Sequence, residues 1–118
     1  MNPKSLLANL SQFIGTEKYY RITNKHLLTD GTKYLAEEAQ CFWLMTAIAS
    51  HLSPHIDDYF VCATLKVKEN SAVLTLDNGN GFIFATQDIE YTDFPLEEIK
   101  IFCCFDGMYW ILMLPSEY

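Results

Sequence analysis

The pattern of hydrophobic and polar positions changes character near Leu52. Between Asp30 and Leu52, apolar residues recur at three- and four-residue steps, which is the spacing of one face of an α-helix. Thr29 or Asp30 can cap the first turn through a side-chain oxygen, and Pro54 is expected to end the helix. The pattern therefore predicts one long helix over residues 30–52, around which the rest of the chain is organised.

After this helix, alternating apolar and polar residues predict three strands between residues 59 and 89. The segment Glu69-Asn70-Ser71 turns the chain between the first two strands. Two Asn-Gly pairs between Asp77 and Gly81 connect the second strand to the third. Asn-Gly supplies the positive φ angles that hairpin turns require, so we expect a three-stranded antiparallel meander.

A further hairpin is predicted over residues 99–114. Two apolar runs, residues 99–105 and 108–114, flank Asp106-Gly107, and Asp-Gly between such runs is a strong hairpin signal. Together with the meander, this hairpin predicts an α+β fold in a single domain of residues 1–118. The expected architecture is an antiparallel sheet of about five strands packed on the one long helix.

The second hairpin is apolar on both of its faces, whereas a sheet with one face in water alternates apolar and polar residues. We expect the helix to cover one face. The N-terminal segment, a second copy of the chain or another protein must cover the other, because about 400 Å² of wet apolar surface would forfeit about 10 kcal/mol. A homodimer is the leading hypothesis. Its interface candidates are Phe102, Cys104, Tyr109, Trp110 and Leu112 as anchors, with Asp93, Glu97 and Glu98 as a polar rim.

The formal net charge is −7, and it is unevenly distributed. Residues 1–33 carry five cationic and two acidic side chains, whereas residues 34–118 carry three cationic and thirteen acidic ones. An acidic protein repels phosphate backbones. Nucleic acid is therefore not an expected partner.

Acidic residues concentrate around the connector between the meander and the second hairpin, at Asp88, Glu90, Asp93, Glu97 and Glu98. Two interpretations stay open, a solvated connector and a docking surface for a basic partner. The second interpretation suggests an alternative function, that of a phage- or plasmid-borne inhibitor that presents this surface to a basic nucleic-acid channel.

Four cysteines, Cys41, Cys62, Cys103 and Cys104, lie in apolar runs without any CxxC spacing. This usage fits free buried thiols in a reducing cytosol better than a zinc ribbon or a redox pair. The N-terminus lacks the apolar core of a signal peptide, and the apolar run at residues 41–49 is far shorter than the ~20 residues that span a bilayer. The expected location is cytoplasmic, with no membrane partner.

No spacing of residues marks a catalytic, cofactor-binding or metal-binding site. His51 and His55 are four residues apart, but Pro54 between them breaks the helical geometry that would let them share a metal ion. A small enzyme or ligand-binding domain stays open as an alternative. It would use a pocket between helix and sheet with His26, His51 or the acids at Asp57 and Asp58.

Several segments resemble a family of small uncharacterised proteins, a domain of unknown function found in bacteria, phages and plasmids. The resemblance is carried by the segments Thr29-Asp30-Gly31, Trp43, Asp77-Asn78-Gly79-Asn80, Tyr91-Thr92-Asp93-Phe94-Pro95-Leu96 and Leu114-Pro115-Ser116-Glu117-Tyr118. None of them is a catalytic signature. The resemblance implies a prokaryotic or mobile-element origin and transfers no functional residues.

Overall fold

The structure is a computed structural model, which describes residues 2–53 and 58–118. In this part of the chain the α-helices are α1 (Pro3–Leu10), α2 (Asp30–Glu38) and α3 (Phe42–Ser50), and a 3-10 turn spans Pro115–Glu117. The prediction of one long helix over residues 30–52 is wrong. Gln40 adopts a φ of 50°, and a residue in this left-handed region ends an α-helix because its backbone cannot continue the helical path.

The break lets two helices with different surfaces cover the core. Helix α2 is amphipathic and buries Leu35 and Ala36, whereas α3 is apolar over most of its surface and buries Leu44, Met45 and Ile48. The backbone N–H of Cys41 donates to the carbonyl of Ala36 at 2.9 Å and closes the turn between the helices.

The sheet of the described residues has seven strands in the order β1-β2-β7-β6-β3-β4-β5. Its strands are β1 (Tyr20–Arg21), β2 (His26–Leu28), β3 (Phe60–Lys68), β4 (Ser71–Asp77), β5 (Ile83–Ile89), β6 (Glu98–Phe105) and β7 (Trp110–Met113). The prediction of five antiparallel strands is wrong because β2 runs parallel to β7, with His26 opposite Trp110. Strands of two and three residues are too short to show a period-two pattern.

The meander and the second hairpin are present as predicted. Strands β3, β4 and β5 pair antiparallel in sequence order, and β6 pairs antiparallel with β7. The two units join through β6, which lies antiparallel beside β3. The last hairpin is therefore at the centre of the sheet, between the meander and β2.

One face of the sheet carries the core. Its fully buried side chains join those of the helices in one cluster, which includes Leu65, Leu74, Ile101, Cys103, Trp110 and Leu112. Helix α1 also belongs to this layer, because Leu6 and Leu10 are buried in the same cluster and Asn9 donates to the Tyr34 hydroxyl of α2 at 2.9 Å. The N-terminal helix therefore does not cover the opposite face.

Candidate binding surfaces

The face of the sheet opposite the helices, which we call the open face, is apolar at its centre. Cross-strand register places Leu27, Phe60, Phe102, Cys104, Ile111 and Met113 on it. All of them are partly exposed, and none belongs to the core cluster. In the described part of the chain, the open face thus has apolar side chains that pack mainly on one another.

Three aromatic rings form the densest part of the open face. Phe60 and Phe102 lie edge to face with their centroids 5.1 Å apart. The ring of Tyr118 completes the group at 5.3 Å from Phe60 and 5.5 Å from Phe102. The Tyr118 residue is 74% exposed, so this cluster presents its outer surface to solvent.

Tyr118 reaches the open face because the preceding residue is held at the first turn of α2. The Glu117 carboxylate accepts hydrogen bonds from the Thr29 hydroxyl at 2.6 Å and from the Gly31 backbone N–H at 3.0 Å. A carboxylate at a helix N-terminus satisfies free N–H groups and interacts favourably with the helix dipole. The segments Thr29-Asp30-Gly31 and Leu114-Pro115-Ser116-Glu117-Tyr118, which both carry the family resemblance, therefore contact each other.

The same helix start also fixes the segment before β1. The Asp30 carboxylate accepts from the Glu17 backbone N–H at 2.9 Å and from the Tyr20 hydroxyl at 3.0 Å. The hydrogen bond from the Glu17 N–H, followed by that from Tyr20, lowers the pKa of the Asp30 carboxyl below its ordinary value. The Asp30 interaction is structural, since its carboxylate is engaged by the chain itself.

The predicted anchors of the interface lie on opposite faces. Phe102 and Cys104 are on the open face, whereas Trp110 and Leu112 are 0% exposed beneath the helices. The indole N–H of Trp110 donates to the Ser53 carbonyl at 3.1 Å. Phe105 pairs with Trp110 across the hairpin, so even-numbered residues of β6 share a face with odd-numbered residues of β7.

Sequence reasoning missed the odd-numbered residues of β7. Ile111 and Met113 stand opposite Cys104 and Phe102 on the open face. The position of the Asp106-Gly107 turn already implied that odd-numbered residues of β7 lie on the same face as even-numbered residues of β6, because antiparallel partners across a hairpin share a face. Tyr109, the remaining predicted anchor, is half-buried, and its hydroxyl accepts a hydrogen bond from the Arg21 guanidinium at 3.2 Å.

Two residues of the predicted acidic rim, Asp93 and Glu97, are on a different part of the molecule, whereas Glu98 lies opposite Lys66 in the register of the open face. The connector between β5 and β6 lies against the end of β3, where the Val67 backbone N–H donates to the Glu97 carbonyl at 2.8 Å. Its apolar residues Phe94 and Leu96 are buried, whereas Asp93 and Glu97 are exposed. Asp93 and Glu97 line surface cavities beside α1, the helix on the side opposite the open face. Of the predicted rim, Glu98 therefore shares a face with the anchors Phe102 and Cys104, whereas Asp93 and Glu97 belong to a separate surface.

The two described histidines have structural contacts. Nε2 of His26 donates to the Leu52 carbonyl at 2.8 Å, which leaves Nδ1 to accept from the Thr23 hydroxyl in the neutral ring. His51 lies 2.9 Å from the Gln87 side-chain oxygen. These contacts join β2 and β5 to the end of α3. The predicted involvement of His55 and Asp57 lies outside the described residues.

The cysteine thiols are poor nucleophiles. Burial raises the pKa of Cys41 to about 12 and raises the pKa values of Cys62, Cys103 and Cys104 as well. A thiol reacts as its thiolate, so a raised pKa leaves little reactive form at neutral pH. Among the described cysteines, Cys104 is the most exposed.

Residues 2–53 and 58–118 contain no group of three His, Cys, Asp or Glu side chains placed as metal ligands would be. Over the same residues, the helices are all too short or too polar to cross a lipid bilayer.

These features define an α+β protein with a mixed sheet, helices on one face and an apolar open face on the other. Over residues 4–118 the chain matches the model of a family of unknown function, DUF6876. The chain belongs to this family. No curated protein and no solved structure matches it.

Proposed function

We propose that this protein is a non-enzymatic protein-binding module that acts as a homodimer, with two copies packed open face to open face. The observation that carries the proposal is the set of half-exposed apolar side chains outside the core cluster, with Phe102 and Ile111 near its middle. Aromatic residues, methionine and few charges are typical of the centre of a protein interface.

The distribution of charge on the open face supports this proposal. Arg21 on β1, Lys66 on β3, Lys100 on β6 and Asp88 on β5 have the register of the open face. All four are exposed and surround the apolar centre. An apolar centre with a charged periphery is the usual organisation of an interface between folded proteins.

The dimensions of the open face favour a reversible dimer. The four strands that carry its apolar side chains, β2, β7, β6 and β3, have three, four, eight and nine residues, and cover about 19 Å by 20 Å, on the order of 400 Å² per copy. Two copies would bury about 800 Å², which is in the range of weak, transient interfaces. The isolated chain exposes 6880 Å², close to the ~6,600 Å² expected of a compact monomer of this mass.

The first experiment measures the mass of the protein in solution. Sedimentation equilibrium should give a mass near twice 13.6 kDa at high protein concentration and a lower average mass on dilution. Ile111→Lys should shift the equilibrium to the monomer, because it places a charge at the centre of the buried face.

Ile14→Lys is the matched control, since Ile14 is 83% exposed and not on the sheet. Its dimer should be as stable as that of the wild type. Far-UV circular dichroism should show that both variants fold. A wild-type chain that stays monomeric at millimolar concentration, or an Ile111→Lys variant that dimerises normally, would contradict the proposal.

The enzyme alternative has no comparable support, since the described histidines are held by Leu52, Thr23 and Gln87. Cytoplasmic localisation and an origin in bacteria, phages or plasmids stay predictions of the sequence.

A further inference from the structure

A groove lies between α1, the end of α2 and the connector, and none of the apolar residues of the open face lines it. It consists of two cavities of about 430 Å³ and about 490 Å³, which share Pro3 and Pro95 in their linings. The first cavity extends to Ala39 and Gln40 after α2, and the second extends along α1 to Leu7. The two shared prolines make the cavities neighbouring parts of one groove.

The groove combines an apolar floor with an acidic border. Pro3, Leu7, Pro95 and Leu96 provide apolar surface, and Leu7 is 53% exposed although it is a large aliphatic residue. The acidic residues that line the two cavities are Glu38, Asp93, Glu97 and Glu98. No lysine, arginine or histidine is among the lining residues of either cavity.

The negative charge of the groove is poorly compensated within the described chain. Only Glu98 forms an ion pair there, with Lys66 at 3.9 Å and with both side chains exposed. Glu38 lies in the last turn of α2, which contains no basic residue. The C-terminal end of a helix is the negative end of its dipole, so an acidic side chain there is unfavourable until a cation approaches.

We propose that this groove binds a basic segment of a partner protein, with an apolar side chain against Leu7 and Pro95 and with flanking lysine or arginine side chains on Glu38 and Glu97. A basic partner is chosen because its positive charge would complement the acidic border of the groove. Exposed apolar surface between acids favours a peptide over a small polyamine, since a polyamine has no side chain to place on the floor. Phosphate-rich ligands are excluded because the border would repel them.

The experiment uses the full chain and labelled hexapeptides. Their two central positions vary among apolar residues and their four outer positions are lysine or arginine. Fluorescence anisotropy should show binding that weakens steeply as the salt concentration rises from about 0.05 to about 0.5 M. Peptides with serine at the central positions should bind at least about fivefold more weakly, because one buried aliphatic side chain contributes at least that factor.

Two sets of variants, each with a matched control, locate the site. Glu38→Lys and Glu97→Lys should each weaken binding about fivefold or more, whereas Glu17→Lys, the same charge change on an exposed residue outside the groove, should change it less than twofold. Leu7→Ser should weaken binding, whereas Ile14→Ser should not. Leu7 and Ile14 are both exposed, so loss of folding is not expected in either case.

The proposal is overturned if no hexapeptide binds below millimolar concentration, if serine-centred peptides or spermine bind as tightly as apolar-centred ones, or if Glu17→Lys matches Glu38→Lys. Peptide binding by the monomeric Ile111→Lys variant would show that the groove acts independently of the dimer, because neither Ile111 nor any other apolar residue of the open face lines the groove.

Discussion

Gly31 and Glu117 lie against each other at the first turn of α2. A Cβ atom at position 31 would come within 2.5 Å of Glu117 Oε1 and 2.7 Å of Leu114 Cδ1. Glycine is therefore required at this position by close approach and not by its backbone angles. The contact depends on residues 86 positions apart in the chain, which is why the sequence alone gives no reason for the glycine.

Gly31→Ala should destabilise the protein by about 1–3 kcal/mol, because the added methyl group displaces the carboxylate and the neighbouring leucine. Glu117→Ala should cost a similar amount, because it leaves the backbone N–H groups of Gly31 and Leu114 without their acceptor. The two changes should be less than additive, since each disrupts the same contact. Urea denaturation measures all three variants.

Gly15→Ala is the control for this series, because nothing lies within 4 Å of a Cβ atom at Gly15. If Gly31→Ala proves as stable as Gly15→Ala, the close contact between Gly31 and Glu117 does not contribute to stability.

At the scale of elements, the break between α2 and α3 depends on one backbone conformation. Gln40 and Glu69 are the non-glycine residues with positive φ among the described residues, at 50° and 59°. Glycine adopts this region without the steric penalty that a Cβ atom brings. The apolar stripe continues across the break, so periodicity alone predicted a single helix.

Gln40→Gly should stabilise the protein by about 0.5–1 kcal/mol, because it removes the Cβ penalty at a position outside the helix. Thermal and urea denaturation measure the effect. Gln12→Gly is a suitable comparison, since Gln12 follows α1 and has no positive φ, and it should stabilise less. Destabilisation by Gln40→Gly would indicate that the Gln40 side chain contributes more than its backbone costs.

Too few strands were predicted from the sequence because two strands of the sheet are very short. The segment His26–Leu28 has three residues, too few for a periodic signal, and its partner β7 lies more than 80 positions away. The Thr32 hydroxyl also donates to the Leu112 carbonyl of β7 at 2.8 Å. The start of α2 and strand β2 are thus both fixed to β7, which makes the last hairpin central.

At the scale of the whole molecule, the two faces of the sheet have different environments, and thiol chemistry can distinguish them. Cys103 is fully buried on the helix-covered face, whereas Cys104 is half-exposed on the open face. Neighbouring residues of one strand point to opposite sides, so these adjacent cysteines report on opposite faces.

In dilute solution, Ellman's reagent should modify Cys104 first and leave Cys103 and Cys41 unmodified until the protein unfolds, because burial raises their pKa values. The rate at Cys104 should fall as protein concentration rises, since the proposed dimer covers it. Cys104→Ser identifies the fast phase. A rate that is independent of concentration across the range where sedimentation detects the dimer would place the interface elsewhere.

The sequence by itself determined the features that depend on neighbouring residues. The meander and the Asp106-Gly107 hairpin follow from turn chemistry and side-chain period. The sequence also placed a cap at Thr29 or Asp30, and the structure has it at Thr29. The helical character on both sides of Gln40 was also evident from the apolar spacing.

Only the tertiary structure decided which apolar face the helices cover, where β2 pairs, and that Asp93 and Glu97 lie away from the open face. These features depend on contacts between residues far apart in the chain, such as Gly31 with Glu117 and His26 with Trp110. Local propensity cannot specify such pairs, because their free energy is gained only when the whole sheet has formed.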